Sequence, residues 1–196
     1  MISRPQARLK RGFDILLALI LTPVLLLPIC LLIVLARFDT GLSGLFLQTR
    51  IGQWGKPFKI YKIRSLRQGV HRLGHMDYHT SAFGSFIRRY KLDELPQLFN
   101  VLKGEMSFVG PRPDLPGFAD VLEGEDRIIL EVKPGITGSA TLKYKNEELI
   151  LAEQSNPEHY NRTVIWKDKV EINKRYVKNY SFSLDLHILL KSLKNS

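Results

Sequence analysis

Lys91-Leu92-Asp93-Glu94-Leu95-Pro96-Gln97 places two adjacent carboxylates just ahead of a proline. Proline suits the first turn of a helix and pushes the residue before it away from α geometry, so a helix is expected to open at Pro96 and run to about Leu102. Carboxylates at such a start have two uses. They can cap the helix, meeting its unpaired amides and positive end. They can also divide a phosphoryl-transfer reaction, one acting as nucleophile to form an acyl phosphate while its neighbour holds a divalent cation beside the phosphates under attack. Arg88 and Arg89 lie one turn upstream, and Arg112 stands between Pro111 and Pro113. A guanidinium on so stiff a loop grips phosphate oxygens bidentately at low entropy cost; surface ion pairs and lipid headgroups are the plainer uses of the same arginines. His71, His75 and His79 have a helical spacing that could line up metal ligands, but Gly74 and the polar, aperiodic surroundings read as a solvated loop.

These residues need elements to position them. From Ile15 to Ala36 the chain runs 22 residues without a charge, long enough to cross the hydrocarbon core of a bilayer. The run passes straight into Arg37 and Asp39 with no small-residue cleavage site, so it reads as a retained membrane segment. Pro23 and Pro28 interrupt it, and basic residues flank it on both sides: Arg4, Arg8, Lys10 and Arg11 before, Arg37, Arg50 and Lys56 after. A spanning helix would put one basic cluster on the wrong side of the membrane, whereas a re-entrant hairpin bent at the prolines keeps both in the cytoplasm. A kinked spanning helix is the alternative, since membrane helices tolerate proline; Thr22 could ease a break by bonding to a freed carbonyl.

Beyond the run, Leu45–Leu47 and Phe58–Ile63 look like short strands joined through Gly52 and Gly55-Lys56-Pro57, a β-hairpin. Helical spacing resumes near Ser81. A charged helix is expected around Phe118–Glu131, bracketed by Gly110-Pro111-Arg112-Pro113 and Lys133-Pro134-Gly135-Ile136-Thr137-Gly138. Two amphipathic helices are expected at the C-terminal end, one carrying Trp166, Val170, Val177 and Tyr180, the other Leu186, Leu189, Leu190 and Leu193. The expected fold class is α+β, mainly helical: residues 1–40 as a basic flank and membrane helix, with the re-entrant hairpin and the kinked span both open, and residues 41–196 as a small membrane-associated domain that a hairpin would place in the cytoplasm.

Composition narrows the field. The 196 residues are 44% hydrophobic and 24% charged, a folded composition. Cys30 is the single cysteine, which excludes an intramolecular disulfide and a cysteine-rich zinc site. The net charge of +10 is lopsided: residues 1–91 carry 15 basic and 3 acidic side chains, and the remainder 14 and 16. A field of that sign attracts phosphate, whether on a nucleotide, a lipid or a nucleic acid. P-loop, dinucleotide-binding and nucleophile-elbow motifs are absent.

Several stretches together resemble a known family, the bacterial sugar transferases, and within it the small monotopic polyprenol phosphate phosphoglycosyl transferases. They are Lys10-Arg11-Gly12-Phe13-Asp14, Gln48-Thr49-Arg50-Ile51-Gly52, the run from Pro57 to Arg64, KLDELPQLFNVLKGEMSFVGPRP from Lys91 to Pro113, Lys133 to Gly138, and Tyr176-Val177-Lys178-Asn179. The resemblance covers nearly the whole chain, and it favours chemistry over capping for the two carboxylates. It implies transfer of a sugar-1-phosphate from a UDP-sugar to undecaprenyl phosphate, with release of UMP, at the cytoplasmic face of the bacterial inner membrane. By position it makes Asp93 the nucleophile, Glu94 the Mg²⁺ ligand, and Arg88, Arg112, Lys59 and Gln97 phosphate- or substrate-binding residues. Membrane lipids are implied as partners, nucleic acid is not, and a homodimer is compatible. The chain departs from the family in two places. Many members have Ser-Pro at the membrane bend where this chain offers Thr22-Pro23 and Leu27-Pro28, and a Trp-Ala-Gln type sequence where it reads Ser139-Ala140-Thr141. A non-catalytic basic protein of the membrane surface is the rival from another class, explaining the charge and the apolar run but giving the Asp-Glu pair no purpose.

Overall fold

The structure, a computed structural model, describes residues 2–69 and 80–194; the three spaced histidines lie outside the described residues. Among the described residues helix predominates, accompanied by one antiparallel strand pair and one parallel pair.

Helix α1 spans Arg4–Thr40. Ser3 and Gln6 form a reciprocal capping box at its start, and Gly41, at φ 70°, ends it in the left-handed conformation that glycine adopts without steric cost. The helical backbone carries through both Pro23 and Pro28, so the prolines are not a break in secondary structure. Each proline removes a single backbone hydrogen bond, a loss a long helix can absorb. Thr22 does bond back, but its hydroxyl donates to the carbonyl of Ala18 at 2.7 Å rather than to that of Leu19, which Pro23 leaves without an amide. Lys10, Asp14, Ala18, Ile29 and Ala36 are buried along one face, at spacings that follow the helical turn, while Leu16, Leu19, Val24, Leu27, Leu31 and Phe38 stay exposed. Among the described residues α1 alone is long and apolar enough to cross a membrane.

Strands β1 (Leu45–Ile51) and β2 (Pro57–Ile63) pair antiparallel from Leu45 opposite Ile63 to Ile51 opposite Pro57, the hairpin expected from the sequence but with a longer first strand. Helix α2 (Ala82–Arg89) starts at Ser81, whose hydroxyl accepts from the amide of Gly84 and donates to Asp39 at the end of α1. Helix α3 (Gln97–Lys103) follows Pro96, close to the expected start. Strands β3 (Ser107–Val109) and β4 (Gly135–Thr137) pair in parallel, a three-residue contact with no hydrophobic pattern to announce it. The charged helix expected around Phe118–Glu131 is instead two 3₁₀ stretches, Ala119–Val121 and Gly124–Glu131. Extended Leu122 and Glu123 and the positive φ of Gly124 interrupt it. Short helices α4 (Ser139–Lys143), α5 (Glu147–Ala152) and α6 (Pro157–Tyr160) lead into the two expected C-terminal helices, α7 (Trp166–Lys178) and α8 (Phe182–Lys194).

The main core joins Ala18 of α1 to Val101, Phe108, Val109, Val177 and Ile188, while a smaller cluster joins Ala36 to Ile63 and Ile87. Polar links reinforce both. Arg11 donates to the carbonyls of Val101 and Leu102, as a cation at a helix C-terminus should. Lys10 is paired with Asp185 of α8 at 2.5 Å and donates to the carbonyl of Val109, while Asp14 accepts from the amide of Phe108 and the hydroxyl of Ser107. The apolar helix is thus fastened to strand β3, which leads directly into Arg112.

Candidate active site

Asp93 and Glu94 lie in a single 3₁₀ turn, Leu92–Glu94, that Lys91 enters with φ 55°. Neither carboxylate caps α3: Pro96 holds the cap position, with no side-chain hydrogen bond. Both side chains are instead buried, 4% and 7% exposed, where an unpaired carboxylate would cost several kcal/mol. Two cations offset that cost. Lys62 of β2 places Nζ 3.1 Å from Asp93 Oδ2 and 3.6 Å from Glu94 Oε1. Arg112 grips Glu94 through both terminal nitrogens, Nη1 at 3.2 Å from Oε2 and Nη2 on Oε1. Burial by itself would raise the Glu94 carboxyl, but Arg112 and Lys62 overcome it and hold the group well below the usual carboxylate range. Glu94 in turn raises the Arg112 pKa further. Asp93 Oδ1 is buried without a hydrogen-bond partner.

The loop that carries Arg112 is pinned on both sides. Gly110 donates to the carbonyl of Thr137, Gly135 donates to that of Pro111, and the amide of Ile51 in β1 donates to that of Asp114. Arg50 donates to the carbonyl of Pro113 and is itself steadied by Gln48. Burial, with Arg112 nearby, lowers Arg50 to about 10, and burial pushes Asp114 up to about 6 against the pull of Lys169, Arg50 and Arg112. A rigid, cation-rich wall therefore stands beside the two carboxylates.

The sequence-derived residues divide. Asp93, Glu94 and Arg112 come together as expected. Gln97 is buried in the first turn of α3, with Nε2 lacking a partner. Arg88, in the last turn of α2, faces Glu148 of α5 at 3.9 Å and makes no described contact with the carboxylates. Lys59 is exposed on β2, three residues from Lys62 and so on the opposite face of the strand. Lys62 is the strand lysine at the site. Strand alternation was the available signal, because Lys62 falls on the same face as buried Ile60. Arg50 and Asp114 carried no comparable mark, since the approach of β1 to the proline-rich loop is a long-range contact.

Among the described residues no three His, Cys, Asp or Glu side chains gather to hold a metal. Two carboxylates do stand together, and Glu94, although Arg112 bonds each of its oxygens, keeps carboxylate lone pairs for a cation while Asp93 Oδ1 has no partner. Mg²⁺ is bound in this way where substrate phosphates and water complete its shell, so the donor set fits that ion in a shared role rather than an all-protein cage.

A family model, bacterial sugar transferase, matches residues 5–196. The chain belongs to this family. Among similar sugar transferases, the uncharacterized EpsL of Bacillus subtilis is 35% identical over 189 residues, covering 95% of this chain and 86% of the relative. The UDP-N-acetylgalactosamine-undecaprenyl-phosphate N-acetylgalactosaminephosphotransferase of Aeromonas hydrophila is 34% identical over 196 residues, covering 96% of this chain and 43% of the relative. The UDP-glucose:undecaprenyl-phosphate glucose-1-phosphate transferase of Escherichia coli is 32% identical over 190 residues, 92% of this chain and 38% of the relative. The chain spans less than half the length of these last two sugar transferases.

Proposed function

We propose that this protein transfers a sugar-1-phosphate from a UDP-sugar to undecaprenyl phosphate, through a covalent intermediate on Asp93, and so begins a lipid-linked glycan. The observation that carries the reading is the asymmetry of Asp93. Lys62 holds Oδ2, while Oδ1 is buried without a partner, beside a Glu94 that Arg112 keeps ionised. A surface-binding protein would have no use for a buried, half-satisfied carboxylate of this kind.

In this reading Oδ1 attacks the β-phosphorus of the UDP-sugar. The bond from that phosphorus to the oxygen bridging it to the α-phosphorus breaks, and UMP leaves with the bridging oxygen. Asp93 then carries the phosphosugar as an acyl phosphate. An oxygen of undecaprenyl phosphate attacks the same phosphorus and expels the Asp93 carboxylate, giving the diphosphate-linked lipid. Lys62 orients the carboxylate and Arg112 draws the phosphate oxygens, with little reorganisation because its loop is already pinned. Glu94 would hold Mg²⁺, which when bound would neutralise charge at the diphosphate. A covalent relay suits these two substrates, because the soluble nucleotide and the membrane-borne lipid use one site in turn.

We place the site at the cytoplasmic face, with α1 re-entrant. Support comes from the attachment of both ends of α1 to the same body, Arg11 on α3 and Asp39 on α2. The test is UMP release by detergent-solubilised protein given Mg²⁺, undecaprenyl phosphate and UDP-N-acetylgalactosamine, UDP-glucose or UDP-galactose. Turnover that requires lipid and is abolished by Asp93→Asn and by chelation of Mg²⁺ is expected. Wild-type turnover in Asp93→Asn would remove Asp93 as nucleophile, and salt-sensitive lipid binding with no turnover would restore the binding-protein reading.

A further inference from the structure

Strand β2 has two edges, of which β1 covers one. The other edge faces α3, where Asn100 is fully buried. Its Oδ1 accepts from the amide of Tyr61 at 3.1 Å and its Nδ2 donates to the carbonyl of Lys59 at 2.8 Å. A side-chain amide thereby occupies the place of a neighbouring strand's peptide, bonding the outward-facing groups of residues 59 and 61. The remaining Nδ2 hydrogen goes to Glu105 Oε2 at 2.8 Å, which fixes which way the amide faces. Lys62 is the next residue along β2, and Asp93 and Glu94 lie in the turn just before α3. Helix α3 is short, and Asn100 is its grip on the backbone of β2, beside a side-chain link from Lys103 to the Tyr61 hydroxyl; both lie between the two halves of the ion-paired site.

We propose that Asn100 is a positioning residue for the transfer reaction: by holding the free edge of β2 it sets Lys62 at hydrogen-bonding distance from Asp93, leaving the other carboxylate oxygen to react. The proposal rests on the reaction proposed above. Its physical content is that Asn100 acts through Lys62. Without the amide, β2 remains paired to β1 and in contact with α3 through Lys103 and the Ile60 packing, but its backbone edge at residues 59 and 61 is released, and Lys62 shifts relative to the carboxylates.

A double-mutant cycle separates this role from a merely structural one. Asn100→Ala, Lys62→Ala and the double variant are compared by the initial rate of UMP release, using undecaprenyl phosphate and the UDP-sugar that the wild-type protein accepts, and by thermal unfolding in the same detergent. Asn100→Ala is expected to lower kcat about 10- to 100-fold, the scale of an angstrom-level misplacement. In the Lys62→Ala background the same substitution should lower kcat less than twofold, while its effect on the unfolding midpoint persists. Should Asn100→Ala fail to fold, Glu105→Ala leaves the amide in place and frees its orientation; a smaller loss of rate, again absent in the Lys62→Ala background, is expected. Rate losses that multiply in the double variant, or a wild-type rate in whichever of the two variants folds, would overturn the proposal. Wild-type protein that releases no UMP with any donor would overturn the reaction and this proposal together.

Discussion

Asp114 stands where burial and charge oppose each other. Its carboxyl is pushed up to about 6 by burial, with Lys169, Arg50 and Arg112 pulling down and Glu147 pushing up. A raised carboxyl pKa means that the folded protein keeps a proton the unfolded chain has already released. Stability from this group is therefore full below the unfolded value of about 4 and is lost as pH rises to about 6. Asp114→Asn removes that loss, so its thermal midpoint should exceed that of the wild type at pH 7 and approach it near pH 4. A midpoint difference that does not change with pH would show that Asp114 is not the titrating group. Glu94 has the opposite sign: its depressed pKa stabilises the protein above the ordinary 4.5, and that contribution disappears as acid protonates it. Lys62, which meets Asp93, was not distinguished from Lys59 by the sequence. Both lie in one basic strand motif, and only the pleat, with Ile60 and Lys62 on one face, distinguishes the lysine that meets Asp93.

Among the secondary-structure elements, α1 depends on a close approach as much as on its apolar content. A Cβ added to Gly44 would lie 1.9 Å from the carbonyl oxygen of Ile33 and 3.1 Å from the amide of Arg37, both rigid backbone atoms. Gly44→Ala should force β1 away from the end of α1, opening the Ala36, Ile63 and Ile87 cluster at a cost of about 1–3 kcal/mol. Thermal unfolding in detergent measures this, and an unchanged midpoint would mean that the contact is dispensable. The hairpin, α2, α3, α7 and α8 were legible because each has its own periodicity or boundary residues. The segment around Phe118–Glu131 was not, because helical spacing of charges does not reveal that Gly124 takes a left-handed conformation.

For the whole molecule, the question is which side of the membrane each end of α1 occupies. Its first turns are fastened through Lys10, Arg11 and Asp14 to α8, α3 and β3, and its last through Asp39 to α2. One polar body thus holds both ends of α1, while most of its apolar middle is unburied. In a Cys30→Ser background, Arg4→Cys and Lys56→Cys should both resist a membrane-impermeant thiol reagent applied from the periplasm and react after the membrane is permeabilised. Periplasmic labelling of either position would favour a spanning helix.

The order of residues alone established the apolar segment, the basic first half, the elements with strong local patterns and the Asp93-Glu94-Arg112 constellation, because each is written in composition or short-range spacing. Four features came from packing: the Lys62 contact, the pinned Arg50 and Asp114 wall, the parallel β3–β4 pair, and the amide of Asn100 on a strand edge. These join parts of the chain tens of residues apart. Such contacts depend on which buried charges find partners and which backbone edges remain to be satisfied, and those conditions exist only once the chain has closed on itself.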